Sequence, residues 1–184
     1  MRIIRPSEYR VMPWKNGGGE TTEVFVSPST GPFDWRVSIA TVNEDGPFSN
    51  FAGYERHIMV LSGRGMALDV AGRGKFELEP LKPFSFSGDA QVIGSLPHGP
   101  VLDFNLMVRR EFGRGVLHVL EGEAGCQPGS GQFLRLVHVL HGECAIGRDQ
   151  LHPQDSFYLG AGERVDLPVA MTLAVCEVTT LERP

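Results

Sequence analysis

The stretch Leu151-His152-Pro153-Gln154-Asp155-Ser156-Phe157-Tyr158-Leu159-Gly160 decides the fold, because the first half of the same chain contains a counterpart, Leu78-Glu79-Pro80-Leu81-Lys82-Pro83-Phe84-Ser85-Phe86-Ser87-Gly88. Leu78 falls on Leu151, Pro80 on Pro153 and Phe84 on Phe157. Upstream the match continues. Val60-Leu61-Ser62-Gly63 followed by Gly65-Met66-Ala67-Leu68 corresponds to Val139-Leu140-His141-Gly142 followed by Cys144-Ala145-Ile146. Leu61 and Leu140 lie 79 residues apart and Pro80 and Pro153 lie 73 apart, a difference absorbed by the longer Ala71-Gly72-Arg73-Gly74-Lys75 loop of the first copy. Self-similarity on this scale means one supersecondary unit used twice.

Within each copy the apolar residues alternate. In Trp35-Arg36-Val37-Ser38-Ile39-Ala40 the odd positions are apolar and the even ones polar or small, which is the period of a strand. Similar runs at His57 to Leu61, Gly65 to Val70, Val101 to Val108, Gly115 to Leu120, Leu134 to Leu140 and Met171 to Val178 are punctuated by 23 glycines and 13 prolines, so at least ten short strands are expected. Ser7 to Met12 reads as a short helical turn with Ser7 as its N-cap, and Val116 to Ala124 fits either helix or strand. A strand ending in Val-Leu-x-Gly, a return strand, and then Leu-x-Pro-x-Asp-Ser-Phe-Tyr-Leu-x-Gly resemble the cupin barrel, and two copies resemble a bicupin. That resemblance implies an all-β chain with very little helix: two antiparallel jelly-roll barrels, residues 1–110 and 111–184, packed as one compact unit. The second copy is poorer in polar residues near its turns, so the ligand site is expected in the first.

The 184 residues carry a formal charge of −5 with no basic arm or stripe, which argues against nucleic acid and against anionic membranes as partners. No uncharged apolar run approaches the ~20 residues needed to cross a bilayer, so a soluble, cytoplasmic protein is expected. Cys126, Cys144 and Cys176 are odd in number and widely spaced, unlike a disulfide framework or a zinc knuckle, and read as small core residues. Exposed edge strands leave room for a homodimer but do not demand one.

Two regions concentrate polar chemistry. In Pro13-Trp14-Lys15-Asn16-Gly17-Gly18-Gly19-Glu20-Thr21-Thr22-Glu23, three glycines follow a cation. The run admits two readings: a plain glycine-rich turn, or a pocket rim in which backbone N–H groups, Lys15 and the Trp14 ring surround a small anionic molecule. In Leu102-Asp103-Phe104-Asn105-Leu106-Met107-Val108-Arg109, one face is apolar and the other carries Asp103, Asn105, Met107 and Arg109. The polar face either meets solvent or looks into a barrel, where an amide and a carboxylate would orient a ligand. Arg36, Ser38 and Arg56 raise the same choice.

Metal chemistry finds no support. Cupin metal sites need two histidines an even step apart on a strand, plus a nearby glutamate and a later histidine. Here His57 stands alone, His138 and His141 are three apart, and His98 sits in a Pro-Gly loop, so no metal and no cofactor are expected. There is no Gly-x-Ser-x-Gly elbow. Paired carboxylates Glu20 and Glu23 are expected at the surface. Only His57 with Asp103 offers an acid–base couple, as a metal-free sugar isomerase or epimerase would use.

Four blocks in order, Pro13 to Thr21, Phe33-Asp34-Trp35-Arg36-Val37-Ser38-Ile39-Ala40, Asp45-Gly46-Pro47-Phe48-Ser49 with Phe51, Gly53 and Arg56, and Asp103-Phe104-Asn105-Leu106-Met107, closely resemble the HutD/Ves family. The resemblance implies a metal-free bicupin, tied to histidine utilisation in the HutD branch and to stress-induced expression in the Ves branch. For HutD it further implies binding of a pathway intermediate, with N-formylglutamate the favoured candidate, and restraint of flux rather than catalysis. The residues expected around such a ligand are Trp14, Lys15, Asn16, Gly17, Gly18, Gly19, Thr21, Arg36, Ser38, Arg56, His57, Asp103 and Asn105. A dicarboxylate suits Lys15, the glycine N–H groups and an arginine, and a formamide suits Asn105 or Asp103.

Overall fold

Period-two alternation becomes strand along most of the chain. The computed structural model describes residues 1–14, 17–122, 133–167 and 171–181. The strands run β1 (Arg2–Ile4), β2 (Arg10–Pro13), β3 (Gly19–Ser27), β4 (Trp35–Val42), β5 (Gly46–Pro47) and β6 (Tyr54–Ser62). They continue with β7 (Met66–Val70), β8 (Gly74–Leu78), β9 (Phe84–Ser87), β10 (Val92–Ser95), β11 (Val101–Arg109) and β12 (Gly113–Gly122). The last are β13 (Leu134–His141), β14 (Cys144–Ile146), β15 (Asp149–Leu151), β16 (Ser156–Leu159) and β17 (Met171–Thr180). The ladders β1-β16-β13-β17, β5-β10-β7-β8, β2-β3-β4-β11-β6-β9 and β14-β15 are antiparallel. No helix among the described residues is long and apolar enough to cross a membrane.

Two compact units emerge, Arg10–Arg114 and Met1–Tyr9 with Gly115–Pro184. In the first, a six-stranded sheet in the order β2-β3-β4-β11-β6-β9 accompanies a four-stranded sheet in the order β5-β10-β7-β8. Ile58, Val60, Met66, Leu68, Val70 and Phe86 form part of the buried apolar cluster of this unit. In the second unit the sheet order is β1-β16-β13-β17-β12, with the β14-β15 hairpin beside it in sequence. Its cluster includes Val137, Val139, Phe157, Leu159, Leu173 and Val175.

Three expectations need adjustment. The first nine residues, assigned above to the first barrel, belong to the second unit: Arg2, Ile3 and Ile4 pair with Tyr158, Phe157 and Ser156. Instead of a helical turn over Ser7 to Met12, a single 3-10 turn spans Pro6–Glu8, and the chain straightens at once into β2. Pro6 presets the first helical φ, Arg5 rather than Ser7 precedes the turn, and Arg5 N donates to Glu8 Oε2 at 2.7 Å. Glu23, expected at the surface, ion-pairs with Arg36 at 2.8 Å and is mostly covered. The ambiguous stretch from Val116 is strand as far as Gly122, within β12, and Glu123 and Ala124 lie outside the described residues. Cys144 and Cys176 are buried free thiols, and Cys126 lies outside the described residues.

The repeat goes deeper than the sequence match. Leu81 and Gln154 both adopt positive φ, at 60° and 75°, although neither is glycine. Leu81 N donates to Val60 O at 2.9 Å, and Gln154 N donates to Val139 O at 2.8 Å. The same turn therefore closes on the same strand position in each copy.

Candidate functional site

Register places the polar side chains. Across the six-stranded sheet, Ala40, Ser38 and Arg36 of β4 stand opposite Asp103, Asn105 and Met107 of β11. Arg56 of β6 stands opposite Met107, and Thr21 of β3 opposite Ala40. Cross-strand partners share a face, so one face of the sheet collects Thr21, Arg36, Ser38, Arg56, Asp103 and Asn105. These six line a cavity of about 510 Å³ in the Arg10–Arg114 unit, a size that suits a small metabolite. The other face, carrying Trp35, Val37, Phe104, Leu106 and Val108, is also buried.

Arg56 dominates the electrostatics of the cavity. It is 4% exposed, and its guanidinium carbon lies 5.5, 5.4 and 4.9 Å from the ring centres of Phe48, Phe51 and Phe86. An arginine among three aromatic faces is held by cation–π attraction and stripped of most water. Nη1 donates to Ser49 O at 3.1 Å and Nη2 to Asn105 Oδ1 at 3.2 Å, while Nε is buried with no acceptor. Burial pulls its pKa down to about 10, opposed by Asp103. Arg36 is different, because Glu23 already takes its Nε at 2.8 Å.

Asp103 and Asn105 form a second polar group. Asn105 Nδ2 donates to Asp103 Oδ1, while Asp103 Oδ2 is buried without a donor. Burial pushes the Asp103 pKa up to about 7, against the opposing effects of Arg56, the Asn105 amide and the Ala40 N–H. A carboxyl that titrates near neutrality can present either a donor or an acceptor to a ligand.

The glycine-rich run forms one wall, through Pro13, Trp14, Gly18 and Thr21. Trp14 is fixed by its indole N–H, which donates to Thr21 Oγ1 at 2.8 Å, and by its backbone N–H, which donates to Gly19 O at 2.9 Å. Gly17 turns the chain with φ +75° and spends its N–H on Trp14 O. A Cβ on Gly19 would stand 2.1 Å from Thr41 O and 3.1 Å from the Trp14 ring. Gly17 and Gly19 thus act by turn and close approach, and neither lines the cavity as expected of them. Lys15 and Asn16 lie outside the described residues.

His57 is the clearest departure. It follows Arg56 on the strand and so points to the opposite face, opposite Leu106 and Ser85. Its Nδ1 shares a hydrogen bond with Ser85 Oγ at 2.7 Å, and burial lowers its pKa. The expected His57–Asp103 couple is therefore not assembled. The cavity also gains residues not expected there: Phe48, Phe51 and Met107, with Glu44 and Asp45 alongside. Phe48 and Phe51 stood in the third family-like block, but nothing local in the sequence says that a loop folds over a distant strand.

A family model described as HutD matches residues 6–176. An uncharacterized 21.2 kDa protein in the hutC 3′ region of Pseudomonas putida is 39% identical over 152 residues, 81% of this chain and 80% of that protein. The structure of HutD from Pseudomonas fluorescens SBW25 superimposes with a TM-score of 0.85 at 36% identity, covering 98% of this chain and 99% of that one. Protein Ylba from E. coli aligns at a TM-score of 0.75 with 12% identity, over 99% of this chain and 92% of that one. That last likeness speaks for the fold alone, an antiparallel cupin-like all-β architecture.

Proposed function

Because the chain belongs to the HutD family, associated with the histidine-utilisation region, we propose that it binds a small anionic metabolite, with N-formylglutamate the candidate, and modulates histidine utilisation without turning the ligand over. The single observation that carries this reading is Arg56: a buried guanidinium facing the cavity, with no carboxylate within 4 Å among the described residues and an unused Nε. A desolvated cation of this kind favours an anion strongly, because water no longer competes for it. On this reading a carboxylate meets Arg56, Ser38 and Asn105 orient a formamide, and Trp14, Phe48 and Phe51 cover the methylenes. The two units are read as the two jelly-roll barrels of a bicupin, on the strength of the matched turns at Leu81 and Gln154. The isomerase reading asked for His57 beside Asp103, and sheet parity separates them.

The test is calorimetric titration of chelator-treated protein with N-formyl-L-glutamate, formiminoglutamate, urocanate, histidine and glutamate. Saturable binding of one metabolite is expected, weakened at least about 30-fold in Asn105→Ala or Arg56→Gln, with the metabolite recovered unchanged by NMR. Silence across the panel would remove the link to histidine utilisation, and product formation would overturn the non-catalytic role.

A further inference from the structure

The two units carry one frame with different side chains. The β6–β11 ladder slips register between Leu102 and Asp103, and the β13–β17 ladder slips between Val139 and His141. Beyond each slip, Val60 stands opposite Asp103 and Val139 opposite Leu173. Counting onward from those pairs, Arg56 stands opposite Met107 in the first unit, and Arg135 opposite Glu177 in the second. Asp103 thus corresponds to Leu173, Asn105 to Val175 and Met107 to Glu177.

Both arginines are buried and both lie over aromatic rings, Arg135 at 5.1 Å from that of Phe133. Their Nε atoms differ. Arg135 Nε donates to Glu177 Oε1 at 2.7 Å, whereas Arg56 Nε has no acceptor. Arg36, in the same cavity as Arg56, repeats the Arg135 solution with Glu23. Removing a guanidinium from water is costly unless an anion meets it, and for two of these three arginines the chain supplies that anion itself.

Resting on the anion-binding reading of the first unit, we propose that the position shared by Met107 and Glu177 decides which unit takes a carboxylate. Glu177 is a built-in occupant of the second unit's arginine. In the first unit Met107 leaves Arg56 Nε unpaired, and the carboxylate of the ligand makes the contact there that Glu177 makes to Arg135. The surrounding side chains agree with this division: Leu173 and Val175 join the apolar cluster of the second unit, whereas Asp103 and Asn105 offer hydrogen bonds to a ligand in the first.

The test compares Met107→Glu with the neutral, similarly shaped Met107→Gln. Nitrogen-15 NMR of arginine Nε–H groups in unliganded protein should show the Arg56 signal of Met107→Glu moving toward that of Arg135, which itself stays in place. Calorimetry should show N-formyl-L-glutamate binding at least about tenfold more weakly to Met107→Glu than to Met107→Gln. An Arg56 signal that is the same in both variants, or equal affinities, would overturn the proposal. So would failure of Met107→Glu to fold, since the second unit holds the same pair on the same frame. If wild type takes up none of the metabolites, the anion-binding reading fails by itself, and the unliganded spectra still decide whether a carboxylate at position 107 satisfies Arg56.

Discussion

Asp103 is a carboxyl that the fold has brought to neutrality. Its pKa stands at about 7 in the folded chain against 3.8 for a free side chain, with burial the largest cause. The folded state therefore binds this proton more tightly than the unfolded state does. The resulting stability is complete below about pH 4 and is lost as pH rises through about 7. Asp103→Asn cannot titrate, so between pH 4.5 and pH 8 it should lose less stability than wild type, by up to about 3 kcal/mol. Denaturant melts at the two pH values measure this, and parallel losses would count against it. Gly19 poses a steric question. Gly19→Ala would drive a methyl group into Thr41 O, and should destabilise by about 2 kcal/mol or more and loosen the Trp14 wall, read by melting and by Trp fluorescence. The sequence made both residues visible as candidates, Asp103 by its place on an amphipathic strand and Gly19 by its run. It did not say that Asp103 is buried, or that Gly19 acts through contact with an indole.

At the scale of elements, the strands were largely legible and their partners were not. Alternation located β4, β6, β11, β13 and β17 to within a few residues at their ends, because a half-buried strand imposes period two on its own sequence. β1 shows the limit. Three residues carry too little pattern to reveal that they pair with β16, more than 150 positions away. The link is reinforced by Tyr9, whose hydroxyl donates to Gln154 O at 2.5 Å and bonds Ser156 Oγ at 2.8 Å. Tyr9→Phe should cost about 1–2 kcal/mol, since it removes both of these hydrogen bonds, and hydrogen exchange along β16 should quicken. His138 on β13 adds a pH dependence of opposite sign. Burial lowers its pKa to about 4 from 6.5, and its Nδ1 lies 2.9 Å from Ser156 Oγ. A base held neutral this way contributes stability that is present above about pH 6.5 and lost as pH falls through 4. His138→Gln should therefore flatten the acid limb of the stability curve, and an unchanged limb would assign acid lability elsewhere.

At the scale of the whole molecule, ligand binding and stability are one equilibrium. If N-formyl-L-glutamate binds only the folded chain, a concentration of 100 times Kd should add about 2.7 kcal/mol to unfolding. Added protection against hydrogen exchange should concentrate in residues 10–114, where the cavity lies. Protection centred on the second unit would contradict the division of roles between Arg56 and Arg135.

By itself, the sequence determined an all-β chain built from a repeated unit, its family, and the polar residues of β4 and β11 as candidates, since periodicity, turn chemistry and repeated motifs are local properties written along the chain. Tertiary structure alone decided which face of the six-stranded sheet looks into the cavity. It put Arg56 inside and His57 outside, closed Phe48 and Phe51 over the guanidinium, and gave Arg135 but not Arg56 a carboxylate. Those outcomes depend on register between strands distant in sequence, where one residue of slip exchanges the two faces.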